Sequence, residues 1–361
     1  MNMSSFERSA VGLVTLLLIA GVFAWMGRDP LRYRRIILIT ACLTLLLVVM
    51  GAFVRLSDAG LGCPDWPGCY GNLTPAHAST EITAAESVQP GGPVSMAKAW
   101  KEMTHRYLAM FVGALIAGTL LTAWRNRRAW QQSPLLPTLL ACAVMFQAAL
   151  GALTVTMLLK PAIVSGHLLG GITVLSLLVW ILQAQPSSAK WAGAIIAGAA
   201  TRAFGLFALV VLLMQIALGG WVSTNYAALA CSDFPTCHGA WIPAMDFANA
   251  FHVIRPLGVG PDGELLTLEA LRAIHWTHRV GAIVAMLVAG GFAMSLMKVE
   301  SGKKAARMLL VLLVAQVLLG LSNIVFSLPL VIAVAHNGVA AVLFAWLLLI
   351  NLRMAKGRNQ V

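Results

Sequence analysis

The sequence predicts an all-α integral membrane protein with two tandem four-helix transmembrane bundles, related by internal duplication, plus one extra N-terminal helix. Three observations predict this: the composition, nine long apolar segments, and a set of motifs that occurs twice in the same order. Hydrophobic residues make up 59% of the 361 residues and charged residues 11%, against about 25% charged in a typical soluble domain. This balance excludes a soluble enzyme, a disordered chain and a nucleic-acid-binding protein.

Each apolar segment is predicted to be a membrane-spanning helix. A span needs roughly 20 apolar residues, and without water in the hydrocarbon core the backbone must bond within its own segment. The first segment is predicted to be retained, because its basic residues follow the apolar run, where a signal peptide would carry its cleavage site. The segments are 9–27, 36–54, 103–123, 135–156, 162–184, 203–222, 274–297, 307–327 and 330–351.

The basic residues orient these helices. Of the 25 Lys and Arg residues, 16 lie on one side of the predicted membrane, which the positive-inside rule makes cytoplasmic. The long loops at about 55–102 and 223–273 and the N-terminus are therefore predicted to face outward, and the C-terminus inward. The 16 residues are Arg28, Arg32, Arg34, Arg35, Arg125, Arg127, Arg128, Lys190, Arg202, Lys298, Lys303, Lys304, Arg307, Arg353, Lys356 and Arg358.

Both long loops carry a cysteine pair with five residues between the cysteines, CPDWPGC at 63–69 and CSDFPTC at 231–237. Zinc ligation is one interpretation, although zinc pairs more often have a shorter spacing. An oxidising outer compartment and the proline in each loop favour one disulfide per loop, Cys63–Cys69 and Cys231–Cys237, as a staple or with a redox role. Cys42 and Cys142 lie in predicted helices, where we expect small buried side chains.

Three landmarks occur twice in the same order, which predicts the duplication. Each copy contains four helices, an even number, so both copies have the same orientation in the membrane. The predicted domains are 1–35 (extra helix and basic loop), 36–190 (N-terminal bundle) and 191–361 (C-terminal bundle). The landmarks are Gly51–Gly71 with Gly219–Gly239, nine identities in 21 positions, then Thr104–Arg106 with Thr277–Arg279, then Ala162–Gly171 with Val331–Ala340.

Four of the eight histidines, His105, His167, His278 and His336, lie at repeat-equivalent places within or at the ends of spans. Ionisable side chains are costly in a membrane, so we expect them to be functional rather than packing residues. Imidazole suits iron, copper or zinc, but two histidines per bundle without thiolates or paired carboxylates fall short of a closed zinc site. Two is the number that ligates a haem iron from both faces.

Arginines stand at the outer boundary of the predicted spans. They are placed to meet haem propionates, or alternatively to extend their charged ends to the membrane interface. These residues are Arg55, Arg106 and Arg279.

The two halves differ at one place beside a histidine. Glu102 precedes His105 by three residues, whereas His275 holds the matching place before His278. Residues three apart share a helix face, so Glu102 is predicted to accept a proton or to stabilise positive charge beside a bound porphyrin. The alternative is a local Glu102–Arg106 ion pair. The difference predicts that one half reacts while the other holds a cofactor.

Together these features resemble the haem A synthase family, membrane enzymes that oxygenate haem O. The resemblance covers about 36–352, and the two cysteine pairs are similar to those of the bacterial, cysteine-containing branch. The extra helix at 9–27 departs from the family, whose core has eight helices. The residues that carry the resemblance are Gly51–Arg55, Gly60–Pro67, Glu102–Arg106, His167, His278, Arg279 and His336.

The resemblance implies that haem O binds between His105 and His167, where Glu102 takes part in oxidising the C8 methyl to a formyl group by successive hydroxylations. It implies a haem b cofactor between His278 and His336. It also implies a bacterial inner membrane, haem O synthase as upstream partner, a redox role for the first cysteine pair and a structural one for the second. The electron donor and a homo-oligomeric state stay open.

Two other functions stay open on the sequence alone. A di-haem b-type cytochrome would pass electrons between quinol and a partner, and it would not need the unsymmetrical Glu102. A haem transporter or chaperone would ligate haem exchangeably in both halves and would leave the porphyrin unmodified.

Overall fold

The computed structural model describes residues 5–185, 193–260 and 263–358, with side chains from residue 12 onward. Lys190 and the predicted domain boundary at 190/191 lie outside these ranges. Within them the chain forms eleven α-helices and no named strand. The helices are α1 (Ser5–Met26), α2 (Pro30–Leu56), α3 (Ser79–Val88), α4 (Met96–Asn126), α5 (Leu135–Thr156), α6 (Pro161–Ala184), α7 (Ala199–Thr224), α8 (Phe247–Ala250), α9 (Leu268–Met297), α10 (Lys303–Val325) and α11 (Leu330–Arg358).

Eight of the described helices are long and apolar enough to cross a membrane, which confirms the prediction of an all-α, multi-pass membrane protein. They are α2, α4, α5, α6, α7, α9, α10 and α11. The described apolar part of α1, Gly12–Met26, is shorter, and its membrane crossing stays a prediction.

Several spans begin earlier than the apolar segments predict. The helix α4 starts at Met96 rather than 103, and α9 starts at Leu268 rather than 274. In both, a hydroxyl N-cap accepts a hydrogen bond from the first turn, Ser95 from the Lys98 amide and Thr267 from the Ala270 amide. Such caps satisfy amides that a helix start leaves unpaired, so helix continues beyond the apolar run.

The described chain divides into two compact units. Unit 1 comprises Met1–Leu159 and Gly170–Gln185, and unit 2 comprises Lys160–Leu169 and Pro186–Val361. In unit 1, α4 packs against α1, α2 and α5. In unit 2, α7 and α10 each pack against both α9 and α11, which places α9 and α11 at opposite corners of a four-helix bundle. The duplication and the domain boundaries of the sequence analysis stay predictions.

The helix α1 is held to unit 1 by close packing and by a buried amide. A Cβ added to Gly118 of α4 would lie 2.8 Å from a methyl group of Val22, so the two helices meet at this glycine. Asn126, which is 1% exposed, donates to the carbonyls of Gly27 at 2.8 Å and of Thr122 at 3.0 Å. The first of these bonds ties the end of α1 to the end of α4.

Replacing this amide should loosen α1. We expect Asn126→Ala to lower the free energy of unfolding by about 1–3 kcal/mol, because the Gly27 carbonyl loses its buried donor. Thermal unfolding of the detergent-purified protein measures the effect. The control is Thr156→Ala, whose exposed hydroxyl bonds only within its own helix. Equal melting temperatures for the two variants would contradict the assignment.

Candidate functional site

Two histidines of unit 2 lie on the diagonally opposed helices of the bundle. His278 is on α9 and His336 is on α11. Each ring lies against a glycine of a neighbouring helix. A Cβ added to Gly219 of α7 would lie 3.0 Å from Cε1 of His278, and one added to Gly320 of α10 would lie 3.1 Å from Cε1 of His336. A side chain at either glycine would press on the imidazole and require it to shift.

A glutamine accompanies each of these histidines. Nε2 of Gln215, on α7, is 3.0 Å from Nδ1 of His278 and donates to the backbone carbonyl of the same residue, also at 3.0 Å. Nε2 of Gln316, on α10, is 3.3 Å from Nε2 of His336. Sequence reasoning missed both amides, although a polar side chain inside an apolar span is a signal that could have identified them.

The residues of unit 2 fit a haem. Two imidazoles on opposite corners of a bundle match the two axial positions of the iron, and the porphyrin itself supplies the remaining ligands. Nδ1 of His336 is buried without a hydrogen-bond partner. In the part of the chain that the structure describes, no three His, Cys, Asp or Glu side chains form a metal-binding group. The donor set therefore suits a macrocycle that needs two protein ligands.

In unit 1, His105 of α4 also lies against a glycine. A Cβ added to Gly51 of α2 would lie 3.2 Å from Cε1 of His105, which repeats the Gly219–His278 contact. His167 is in the segment Lys160–Leu169 of α6, which groups with unit 2. Joint ligation of one haem by His105 and His167 stays a prediction.

Glu102 is buried near the N-terminal end of α4, with 4% exposure. Its Oε1 accepts from Arg106 at 2.5 Å, so the local ion pair considered from the sequence is present. Its Oε2 accepts from the backbone amide of Cys63 at 2.9 Å. The cysteine loop lies directly on the helix at this point, since a Cβ added to Gly62 would be 2.6 Å from the carbonyl carbon of Lys98.

His275 occupies the corresponding place in unit 2 and is 5% exposed. Its Nδ1 lies 3.3 Å from the amide of Cys231, and its Nε2 lies 3.2 Å from Nε of Arg279. A neutral imidazole has one acceptor nitrogen, so it satisfies only one of these donors at a time, whereas the carboxylate of Glu102 satisfies both. His275 therefore seats the second cysteine loop without supplying negative charge.

The two arginines beside these residues hold the cysteine loops. Arg106 donates to four backbone carbonyls of the first loop, two of them at 2.8 and 2.6 Å and two at 3.4 Å. Arg279 donates to three of the second loop, each at 2.8 Å. The acceptors are Asp65, Gly68, Pro67 and Cys63 in the first loop and Asp233, Thr236 and Cys231 in the second. These bonds occupy donors that the sequence analysis assigned to haem propionates, so for Arg55, Arg106 and Arg279 that contact stays a prediction.

Each loop is closed by a disulfide, as predicted, with Cα atoms 4.9 Å apart in Cys63–Cys69 and 4.8 Å apart in Cys231–Cys237. The expectation that Cys42 and Cys142 are buried is wrong, since both side chains are exposed. They lie on exposed faces of α2 and α5, and the apolar composition of these helices suits contact with lipid.

An aspartate organises the turn within each loop. Asp65 accepts from the amides of Tyr70 and Gly71, both at 2.6 Å. Asp233 accepts from the Thr236 hydroxyl at 2.5 Å and from the amides of His238 and Gly239. The Thr236 hydroxyl first, and then these amides, hold the pKa of the Asp233 carboxyl well below its usual range.

Comparison with known proteins finds relatives over most of the chain. The family model COX15-CtaA, described as cytochrome oxidase assembly protein, matches residues 34–348. A protein of Shewanella oneidensis named Heme A synthase is 44% identical over 317 residues, which cover 87% of this chain and 94% of the relative. Proteins of the same name from Chelativorans sp. (28% identical, 83% and 84% covered) and Methylobacterium radiotolerans (27% identical, 88% and 89% covered) are also similar.

Exchanging each loop-holding arginine for lysine should expose one disulfide at a time. A lysine ammonium cannot reach the carbonyls that the planar guanidinium bridges. We expect Arg106→Lys to speed the reduction of Cys63–Cys69 by a mild thiol about tenfold, and Arg279→Lys to do the same only for Cys231–Cys237. Maleimide labelling followed by peptide mass analysis measures both rates, and each variant is the control for the other. Equal acceleration of both disulfides would contradict the assignment.

The stability of the second loop should depend on pH through Asp233. Because its pKa is lowered on folding, the carboxylate stabilises the loop above the ordinary carboxyl pKa of about 3.9, and this contribution is lost as the pH falls below that value. We expect wild-type Cys231–Cys237 to become more accessible to a reductant that works in acid below about pH 4. The Asp233→Asn variant should already be accessible at pH 7. A wild-type loop as open at pH 7 as the variant would contradict this.

Proposed function

Because the chain belongs to the COX15-CtaA family of cytochrome oxidase assembly proteins, we propose that it is a haem A synthase, an oxidoreductase of haem A biosynthesis that acts on haem O. The observation that carries the assignment of its two halves is a difference at one shared place beside a histidine. A buried carboxylate, Glu102, seats the first cysteine loop, and a neutral imidazole, His275, seats the second. Only the N-terminal half therefore has a negative charge beside its histidine.

The C-terminal half holds the cofactor in this proposal. His278 and His336 would hold a haem b through their imidazoles, and each ring lies against a glycine, Gly219 or Gly320. When bound, the haem supplies one-electron redox chemistry. The chain contributes the two imidazoles, their orientation, and an apolar bundle that excludes water.

The N-terminal half holds haem O, with His105 and His167 as the iron ligands. Its C8 methyl is oxidised to a formyl group by successive hydroxylations. Both oxygens of Glu102 already accept hydrogen bonds, which favours stabilisation of positive charge developing on the substrate over removal of a proton by a free base. Arg55, Arg106 and Arg279 are the proposed propionate contacts, with Arg106 and Arg279 offering only the donors that their loops do not use.

The chain is placed in the bacterial inner membrane, with the cysteine loops in the periplasm and the C-terminus in the cytoplasm. The positive-inside distribution of its arginines and lysines supports this orientation. Haem O synthase is the proposed upstream partner, because the substrate is its membrane-bound product. The contact between Glu102 and the Cys63 amide supports a redox role for Cys63–Cys69. At the second loop the Cys231 amide donates to His275 rather than to a carboxylate, which supports a structural role for Cys231–Cys237.

Extraction and mass analysis of haems from cells that co-express this protein with a haem O source tests the function. We expect haem A with the wild type. With Glu102→Ala, we expect haem A to fall at least a hundredfold, because the charge that stabilises the oxidised substrate is removed, while haem b stays bound. With His336→Ala, we expect haem b itself to be lost.

Protein levels in the membrane fraction are the control for all three samples. Haem b alone, with no haem A from the wild type, would contradict the proposal and indicate a di-haem electron-transfer cytochrome. Equal haem A from wild type and Glu102→Ala would contradict the role of the carboxylate.

A further inference from the structure

We propose that Gln215 is a positioning residue that makes His278 a permanent haem ligand, and that Leu47, at the matching place in the N-terminal half, leaves His105 an exchangeable one. The inference rests on the proposed function, which places a resident haem in one half and a substrate haem in the other. Such an enzyme must retain the first haem and release the second.

Gln215 lies where its amide orients the imidazole of His278. Gln215 and Gly219 are four residues apart on α7 and therefore share one helix face. The glycine gives the imidazole of His278 its space, and the glutamine amide contacts Nδ1 of the same ring at 3.0 Å. Its second contact, to the His278 backbone carbonyl, places the end of the Gln215 side chain against α9.

The chemistry of an iron-bound imidazole requires an acceptor at this place. A histidine that ligates iron through Nε2 carries its proton on Nδ1, and a hydrogen bond from that N–H fixes the ring and raises its basicity. Oε1 of Gln215 is buried and has no hydrogen-bond partner. Rotation of the Gln215 amide by half a turn exchanges its oxygen and nitrogen. Oε1 of Gln215 then faces Nδ1–H of His278, and the two groups form a hydrogen bond. The His278 carbonyl keeps its bond within the α9 ladder.

The N-terminal half lacks this amide at the matching place. The offset of 168 that aligns Gly51 with Gly219 places Leu47 opposite Gln215, and a leucine neither donates nor accepts a hydrogen bond. The difference is confined to one ligand of each pair. Gln147 and Gln316 are both glutamine, at the offset of 169 that aligns His167 with His336.

The test compares the wild type, Gln215→Leu, Gln215→Glu and Leu47→Gln as purified full-length proteins. Haem b loss to excess apomyoglobin and the midpoint potential of haem b are measured. We expect Gln215→Leu to lose haem b about 10–100-fold faster, with a higher potential, because a less basic ligand stabilises the ferric iron less. Gln215→Glu, a stronger acceptor, should lower the potential, and the spectra should keep a bis-histidine form.

The reciprocal variant supplies the matched comparison. Leu47→Gln should slow the release of haem from the N-terminal half about tenfold and leave the haem b potential unchanged. Unchanged loss rate and potential in Gln215→Leu would overturn the inference while the proposed function stands. A wild type without any bis-histidine haem would instead overturn the proposed function. Should Gln215→Leu not purify as a single species, Gln215→Glu decides, and a wild-type potential in that variant overturns the inference.

Discussion

The packing of each cysteine loop onto its helix is the contact on which the outer end of each unit depends. One side chain, Glu102 or His275, accepts from the amide of the first cysteine. The arginine one turn later binds that same side chain and the carbonyls of the loop. Every polar group of this seat is buried beside an apolar span, where an unpaired donor or acceptor is expensive. The loop, the helix end and the histidine one turn below are consequently held in one arrangement.

Inside the spans, the main constraint is the room that the packed helices leave for the histidine rings. Three of the four span histidines lie against a glycine of a neighbouring helix: Gly51, Gly219 and Gly320 each meet an imidazole ring at 3.0–3.2 Å from the Cβ they lack. Helix contacts in membranes rely on such small residues, since no hydrophobic force drives apolar helices together in lipid.

Much of this architecture could be predicted from the sequence, because the same motifs occur twice in the same order. The four histidines, the two cysteine loops and the spans all occur at matched offsets, so each copy supported the other. The task of His275 could not be predicted, because it depends on which backbone amide the folded loop brings to α9. The starts of α4 and α9 were missed because hydroxyl caps extend helix past the apolar runs. The burial expected for Cys42 and Cys142 failed because an apolar span also has faces that only lipid covers.

In the proposed function, two differences between the matched halves separate their tasks. Glu in place of His, where the cysteine loop packs on its helix, adds a buried carboxylate to the half proposed to oxidise its substrate, and this carboxylate is paired with Arg106. Gln in place of Leu beside a ligand histidine strengthens one axial bond where a cofactor must stay. Neither change alters a span, a disulfide or a ligand. In this proposal one half becomes reactive and the other retains its haem through side chains next to the ligands, while the proposed ligands are histidines in both halves.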